Sequence, residues 1–387
     1  MTVNIAVCGK FHFANYVKYV SAQGYLQKFY YAHKRATDAT LGLPAEQIFN
    51  FPFKEYLVQG HGRLFGTVGT GPAHILYGAV WSRAVLSAWR PADLWHVMAH
   101  GHETAVVRRA GRDGARVLAE AVNTHPDNQR EILHREAERW GVKGVSLHRS
   151  TRDARLIDEI ASADRVLVPS ATVARSFVER GIDAERVVKL PYAANLSRFF
   201  PAEHPIPNGD ERRPLKIVCV GTIGLRKGQF HLLEACRRLG PDVVDLTLVG
   251  TVDTAVAARL GSYAGQFRHL QRVPNVEMRT LLLEHDLFVL PSLEEGLAVS
   301  ICEALACGLP VVATRESGAE EMVVDGETGF LVEAGSADAL AALLGRLARE
   351  RETLPVIGAA AAAVTRRWLN WETYAAQLCD VYAQMGG

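Results

Sequence analysis

The sequence predicts an α/β protein made of two doubly wound domains that face each other across a cleft. Two observations carry this prediction. Short apolar strands alternate with helical patterns in both halves of the chain, and a segment rich in proline and charge, 201–214, separates the halves. Such alternation is typical of parallel sheets that are covered by helices on both faces. A chain of 387 residues is long enough for two domains of ordinary size.

The individual elements follow from the period of the apolar residues. In the first half, the predicted strands are 4–9, 26–31, 94–98, 117–122 and 165–169, with helices at 13–22, 129–140 and 171–180. In the second half, the predicted strands are 215–220, 245–249, 286–290, 310–313 and 329–332, with a helix at 229–239. The resulting assignment is an N-terminal domain at 1–200, a linker at 201–214 and a C-terminal domain at 215–365.

Composition excludes several classes of function. The net charge of +1 gives no overall field that would attract nucleic acid, so we expect no nucleic-acid partner. The six cysteines form no CxxC pair, which indicates buried thiols in a reducing compartment. The first residues lack the pattern of a signal peptide, and no apolar run is long enough to span a bilayer. We therefore expect a cytoplasmic protein, with peripheral contact at the inner membrane face left open.

Doubly wound sheets bind ligands at the carboxyl ends of their strands, which directs attention to the strand-to-helix turns. The first such turn in the second half contains Gly221, Gly224 and Gly228, with Arg226 and Lys227 among them. Its glycines allow an anion to approach the backbone, and its cations would stabilise that anion. The spacing matches neither GxGxxG nor the P-loop. A surface turn with two solvated cations is the alternative interpretation.

The second turn follows strand 286–290. We expect a helix from near Gly296 to Gly308, with the amides of four residues free to bind an anion: Gly296, Leu297, Ala298 and Val299. Glu295 precedes this helix and Glu303 lies within it, about 12 Å apart along a helix axis. That separation suits a sugar at one carboxylate and a ribose at the other, with a diphosphate between them. Alternatively, Glu294 and Glu295 favour the helix dipole and Glu303 is simply solvated.

The stretch from Glu295 to Thr314 resembles the Glu-x7-Glu signature of the family 4 retaining glycosyltransferases. Other parts of the chain are similar to that family in order and spacing. These are the turn 221–228, the stretches 317–321 and 325–332, the domain-crossing segment 191–201 and the terminal stretch 368–374. The resemblance covers roughly 160–387 and is weak before it. It implies the GT-B fold of two Rossmann-like domains, with the C-terminal helix 366–387 completing the first domain.

The resemblance also implies roles for the residues. The first glutamate of the signature, Glu295, would contact the donor sugar, and Glu303 the nucleotide ribose. Lys227 stands at the family's phosphate-binding lysine. This chain departs from the pattern at Thr222, where the family usually has arginine. Either Arg226 supplies that charge, or Lys227 acts with the helix amides alone.

The first domain would hold the acceptor. The strand at 117–122 leads to His125, which resembles the family's active-site histidine, although a histidine that caps the strand end remains the alternative. The family's usual Gly-Gly turn is replaced here by Gly9, Lys10, Phe11 and His12. Lys10 and His12 would face the acceptor or the donor phosphate.

The function implied is retaining, metal-independent glycosyl transfer in bacterial glycan or glycoconjugate synthesis. The donor would be a nucleoside diphosphate sugar of the UDP or GDP type, bound as co-substrate and without a further cofactor. The acceptor is left open between a saccharide, a lipid-linked saccharide and a small molecule. Two alternatives remain: a GT-B nucleotide-sugar epimerase, and a non-catalytic relative that binds the nucleotide sugar without turning it over.

Overall fold

The computed structural model describes residues 1–9, 11–33, 41–65, 70–145, 148–203 and 213–386. They form two parallel sheets, each covered by helices, as predicted. The N-terminal sheet has the order β3-β2-β1-β4-β5-β6-β7 and the C-terminal sheet the order β10-β9-β8-β11-β12-β13. Both orders place the strand that begins the domain near the centre, so that the crevice above its carboxyl end is flanked by loops from several strands.

The strands of the N-terminal sheet are β1 Val3–Val7, β2 Leu26–Tyr31, β3 Ile48–Asn50, β4 Leu94–Met98, β5 Arg116–Glu120, β6 Arg165–Val168 and β7 Val187–Lys189. Those of the C-terminal sheet are β8 Leu215–Val220, β9 Val244–Val249, β10 Arg268–Leu270, β11 Leu287–Leu290, β12 Val311–Thr314 and β13 Phe330–Val332. The central strands of both sheets are buried along their whole length, which explains their continuous apolar sequences.

The helices of the described residues cover these sheets. They are α1 Phe13–Ala22, α2 Phe53–Phe65, α3 Thr70–Ser87, α4 Thr104–Arg112, α5 Pro126–Trp140, α6 Thr151–Ser162, α7 Ala171–Val178, α8 Gln229–Leu239, α9 Ala257–Gly261, α10 Asn275–Leu283, α11 Val299–Ala306, α12 Ala337–Arg349, α13 Leu354–Trp368 and α14 Trp371–Gly386. None of these described helices is both long and apolar enough to cross a bilayer.

Most of the predicted linker, 204–212, lies outside the described residues. The described residues near it show how the chain passes from one domain to the other. The segment that enters the C-terminal domain contributes buried Tyr192 and Phe199 to the core. At the other end of that domain, the chain returns through Asn370, whose backbone pairs with Ala194 in an isolated parallel bridge.

The final helix of the chain belongs to the N-terminal layer. α14 packs against α1 and β4, and its buried face includes Trp371, Tyr374 and Tyr382. The hydroxyl of Tyr382 lies 2.8 Å from Nδ1 of buried His96 on β4. The helix therefore closes the apolar surface of α1 and also satisfies a polar group inside the sheet.

We expect Tyr382→Ala to lower the free energy of unfolding by about 3 kcal/mol or more, because it empties a buried aromatic site and leaves Nδ1 of His96 without its partner. Trp368→Ala on α13 is the matched control, since Trp368 is 55% exposed and should change stability by about 0.5 kcal/mol at most. Urea unfolding followed by far-UV circular dichroism measures both. Equal unfolding midpoints for the two variants would show that α14 does not stabilise the N-terminal domain.

Candidate active site

The loop that joins β8 to α8 is a compact turn shaped by two glycines. Gly221 has φ 150°, and Gly228 is left-handed with φ 68°. A Cβ added to Gly228 would overlap the carbonyl oxygen of Pro291, so only glycine lets this turn approach the loop after β11. The amide of Leu293 donates to the carbonyl oxygen of Arg226 at 2.9 Å. The two turns singled out from the sequence therefore lie side by side.

Both cations of this turn reach Glu295. Lys227 Nζ pairs with Glu295 Oε2, and Arg226 Nη1 lies 3.1 Å from Glu295 Oε1. Burial alone would raise the pKa of Glu295, but the charges of Lys227 and Arg226 outweigh it and hold the pKa below its usual range. The carboxylate is thus ionised at neutral pH and has a cation on each oxygen. The interpretation of Arg226 and Lys227 as two solvated surface charges is wrong.

Thr222 occupies an exposed position at the start of the same turn. Its carbonyl oxygen accepts a hydrogen bond from Gln229 Nε2 at 3.1 Å, while Gln229 Oε1 accepts from the amide of Gly224 at 3.3 Å. Buried Gln229 therefore fixes the turn from inside without using the side chain of Thr222.

The helix expected from Gly296 to Gly308 is shorter than predicted, since α11 runs from Val299 to Ala306. The segment before it is held in an irregular conformation by other loops. The carbonyl oxygen of Gly296 accepts from Ser170 Oγ at 2.6 Å, and the amide of Ala298 donates to the carbonyl oxygen of Ser317 at 3.1 Å. The amide of Ala298 is therefore not free to bind an anion, which corrects the prediction. The helical spacing of about 12 Å between the two glutamates does not apply either.

Within the described residues, the amides of Gly296, Leu297 and Val299 have no protein acceptor. They lie where the domains meet. A Cβ on Gly296 would overlap the carbonyl oxygen of Val122, which follows β5 of the N-terminal sheet. The contact between domains is thus backbone against backbone at this point, directly beside Glu295.

Glu303 lies on α11 and is largely shielded from solvent. No hydrogen bond or ion pair joins its carboxylate to any described residue, although the charge of Arg198 acts on it from a distance. Burial raises the pKa of Glu303 to about 7, an effect that Arg198 only partly opposes. Glu303 therefore differs from the simply solvated helix position that was the alternative. Its carboxylate is half-titrated near neutral pH, has no partner among the described residues and can still accept hydrogen bonds.

His125 caps the N-terminus of α5. Its Nδ1 accepts from the amide of Asp127 at 3.2 Å, and its own amide donates to Ser176 Oγ at 3.0 Å. The histidine therefore caps the start of a helix, whereas the alternative had it cap the end of the strand, which lies at Glu120. Burial lowers its pKa, so the ring is neutral and its remaining proton is on Nε2. Nε2 has no partner among the described residues and remains a donor.

The turn after β1 was expected to face the acceptor or the donor phosphate. Gly9, two residues after the end of that strand, has φ 146°, and Lys10 lies outside the described residues. His12 does not extend freely into the cleft, since its Nε2 lies 2.7 Å from Glu120 Oε1 and its ring packs on Tyr192 at 4.1 Å between centroids. The side chain is thereby fixed at the point where the chain crosses between domains.

Glu120, which the sequence analysis missed, organises this region. Its Oε1 accepts from the hydroxyl of Tyr192 at 2.9 Å, and its Oε2 lies 3.2 Å from His96 Nε2. Burial alone would raise the pKa of Glu120, but the charges and contacts of His12 and His96 lower it to about 2. This role could not be predicted from the sequence, because the partners of Glu120 come from the turn before α1, from β4 and from the crossing segment, which only the fold brings together.

The six cysteines are all buried and unpaired, as predicted. In the described part of the chain, no three His, Cys, Asp or Glu side chains are grouped so as to hold a metal ion.

Comparison with known proteins agrees with this architecture. Residues 202–364 match the family model described as glycosyl transferases group 1. The chain is 34% identical over 186 residues to the amylovoran biosynthesis glycosyltransferase AmsK of Erwinia amylovora, an alignment that covers 45% of this chain and 46% of AmsK. It is 30% identical over 320 residues to a D-inositol 3-phosphate glycosyltransferase of Xylanimonas cellulosilytica, covering 73% of this chain and 76% of that protein.

Among solved structures, the fold is similar to that of Anabaena HepE in complex with UDP and glucose. The TM-score is 0.66 at 17% identity, and the superposition covers 99% of this chain and 100% of HepE. This likeness confirms the predicted fold of two Rossmann-like domains in the GT-B arrangement. The match to the relative from Xylanimonas, which covers more than two thirds of both sequences, shows that the chain belongs to the group 1 glycosyl transferases.

Proposed function

We propose that this chain is a retaining, metal-independent glycosyltransferase that uses a nucleoside diphosphate sugar as donor. The observation that carries the proposal is the group of Lys227, Arg226 and Glu295 at the edge of the cleft, because it places two cations and an ionised carboxylate next to free backbone amides. A diphosphate needs cations and N–H donors, and a sugar needs hydrogen-bond acceptors for its hydroxyls.

Each residue then has a distinct task. The diphosphate lies on Lys227, Arg226 and the amides of Gly296 and Leu297, where developing negative charge is stabilised without a metal ion. Glu295 accepts hydrogen bonds from the donor sugar, and Glu303 accepts them from the ribose. Nε2–H of His125 donates to the sugar or to the departing phosphate.

The reaction proceeds with retention of anomeric configuration. The bond between the anomeric carbon and the phosphate oxygen breaks, and the acceptor oxygen forms its bond to the same carbon on the same face. The proton of the acceptor hydroxyl passes to the leaving phosphate oxygen. The protein supplies orientation and charge stabilisation rather than a covalent nucleophile, since the carboxylate of Glu295 is committed to Lys227 and Arg226.

The donor base is proposed as uracil or guanine, and the structure of HepE with UDP and glucose supports the former. The acceptor is proposed to be a saccharide, a lipid-linked saccharide or a small molecule bound against the N-terminal domain, in bacterial glycan synthesis. The names of AmsK and of the D-inositol 3-phosphate glycosyltransferase support such a setting. The protein would act in the cytoplasm or at the inner membrane face.

Metal-free transfer is the first test. The chain is incubated with UDP-, GDP-, ADP- and TDP-sugars in the presence of a chelator, with and without an acceptor extract, and the products are followed by NMR. We expect one donor class to be consumed, with the anomeric configuration kept in the product. Conversion of the sugar nucleotide to its epimer would favour the epimerase, and binding without any turnover would favour the non-catalytic relative.

Lys227→Met should lower kcat/KM by about 100-fold or more, because one of the two cations that stabilise the leaving diphosphate is lost. Lys216→Met is the matched control, since Lys216 is an exposed lysine at the opposite end of the same strand, β8. Steady-state kinetics with the donor found above measure both. An equal effect of the two substitutions would contradict the placement of the diphosphate.

The pH dependence of donor binding should report Glu303. Its pKa of about 7 means that the carboxyl is increasingly protonated below neutrality, and a protonated carboxyl accepts ribose hydroxyls less well. Affinity for the donor nucleotide should therefore fall severalfold from pH 8 to pH 6. Calorimetry in buffers of different ionisation enthalpy should show proton release on binding near pH 7. Glu303→Gln should abolish both the pH dependence and the proton release, and their persistence would assign them to another group.

A further inference from the structure

Glu294 immediately precedes the proposed sugar-binding Glu295, and it makes contacts in two domains. Its side chain is almost completely buried. Oε1 accepts three hydrogen bonds from the N-terminal domain: from the amide of Thr124 at 3.0 Å, from Thr124 Oγ1 at 2.8 Å and from Gln129 Nε2 at 3.2 Å. Oε2 lies 3.3 Å from Arg226 Nη1, within its own domain. Each carboxylate oxygen is therefore committed to a different domain.

Arg226 likewise contacts two carboxylates. The same nitrogen, Nη1, lies 3.3 Å from Glu294 Oε2 and 3.1 Å from Glu295 Oε1. The position of the guanidinium therefore depends on both carboxylates. Any change that alters how strongly Glu294 holds Arg226 also alters the charge next to Glu295.

We propose that Glu294 is a positioning residue that couples the contact between the domains to the placement of Arg226 beside Glu295. The inference rests on the proposed function, because it assigns Arg226 to the donor diphosphate. With the domains in contact, the donors of Thr124 and Gln129 occupy Oε1, so only Oε2 remains for Arg226. With the domains apart, both oxygens are available, and a carboxylate with two available oxygens holds a guanidinium in bidentate fashion and draws it from Glu295.

Because of this coupling, contact between the two domains affects catalysis. The cation is in place for the diphosphate only when Thr124, directly before the capping His125, has engaged Glu294. The acceptor-side domain thereby controls a charge on the donor side through one side chain. If Glu294 served only to satisfy nearby polar groups, its contact with Arg226 would not depend on its contact with Thr124.

Two substitutions test separately the contact of Glu294 with Arg226 and its contact with Thr124. Glu294→Gln keeps an amide oxygen for Thr124 and Gln129 but removes the acceptor for Arg226. Thr124→Val is nearly isosteric, removes the hydroxyl donor and changes no atom that contacts Arg226 directly. Glu277→Gln, an exposed glutamate on α10, is the control for the loss of a negative charge.

We expect Glu294→Gln to lower kcat about tenfold with an unchanged radius of gyration in small-angle X-ray scattering. Thr124→Val should lower kcat/KM for the donor about tenfold in the wild-type background and less than twofold in the Glu294→Ala background, because the bond it removes is already absent there. Glu277→Gln should match the wild type. Equal factors for Thr124→Val in both backgrounds, or wild-type kcat in Glu294→Gln, would overturn the proposal.

The same cycle is measured by calorimetric binding of UDP, which requires no turnover. If the wild type transfers no sugar but the Thr124 and Glu294 effects on UDP affinity are non-additive, the proposed function fails and the coupling stands. If transfer is normal and both cycles are additive, the coupling fails and the proposed function stands. Circular dichroism melting of each variant confirms that it is folded before either measurement is interpreted.

Discussion

The proposed active site depends on pairing a small group of charges that the fold has removed from water. Glu294, Glu295, Arg226 and Lys227 lie where two domains meet, and an unpaired ion there would cost several kcal/mol. The turn after β8 and the loop after β11 satisfy this requirement together, and neither could do so alone. Glycine is therefore as necessary here as the charges. A Cβ at Gly228 would overlap Pro291 and push the two loops apart, and a Cβ at Gly296 would overlap Val122 and push the two domains apart.

A second buried carboxylate has a comparable role at the other side of the cleft. Glu120 contacts His12, His96 and Tyr192, and His96 in turn contacts Tyr382 of α14. The two acidic groups differ in what they join. Glu294 connects surfaces that can separate, whereas the partners of Glu120 lie around a point where the chain crosses between domains twice. If the domains move apart, the contacts of Glu294 with the other domain therefore break, whereas those of Glu120 are kept.

Much of this architecture could be predicted from the sequence, because long apolar runs identify the central strands whatever surrounds them. The short edge strands β3, β7 and β10 were missed, since their residues alternate weakly and are only partly buried or exposed. The helices α2, α3, α4, α6, α9, α10, α12 and α13 were not assigned from the sequence either. Within the site, Glu295, Arg226 and Lys227 were found from the pattern of their turns. The start of α11 was misplaced because long-range bonds from Ser170 and Ser317 override the helical propensity of residues 296–298. Glu120 and Glu294 show their importance only through partners that are distant in sequence, such as Tyr192 for Glu120, 72 residues away, and Thr124 for Glu294, 170 residues away.

The position of α14 has a consequence for biosynthesis. His96 and Tyr382 are 286 residues apart in the chain, yet each needs the other inside the N-terminal core. When the ribosome has completed the first sheet, the surface of α1 that α14 will cover is still exposed, and the whole second domain must be made before it is covered. Nascent chains therefore carry an open apolar face for most of translation, and this face is where chaperones would be expected to bind.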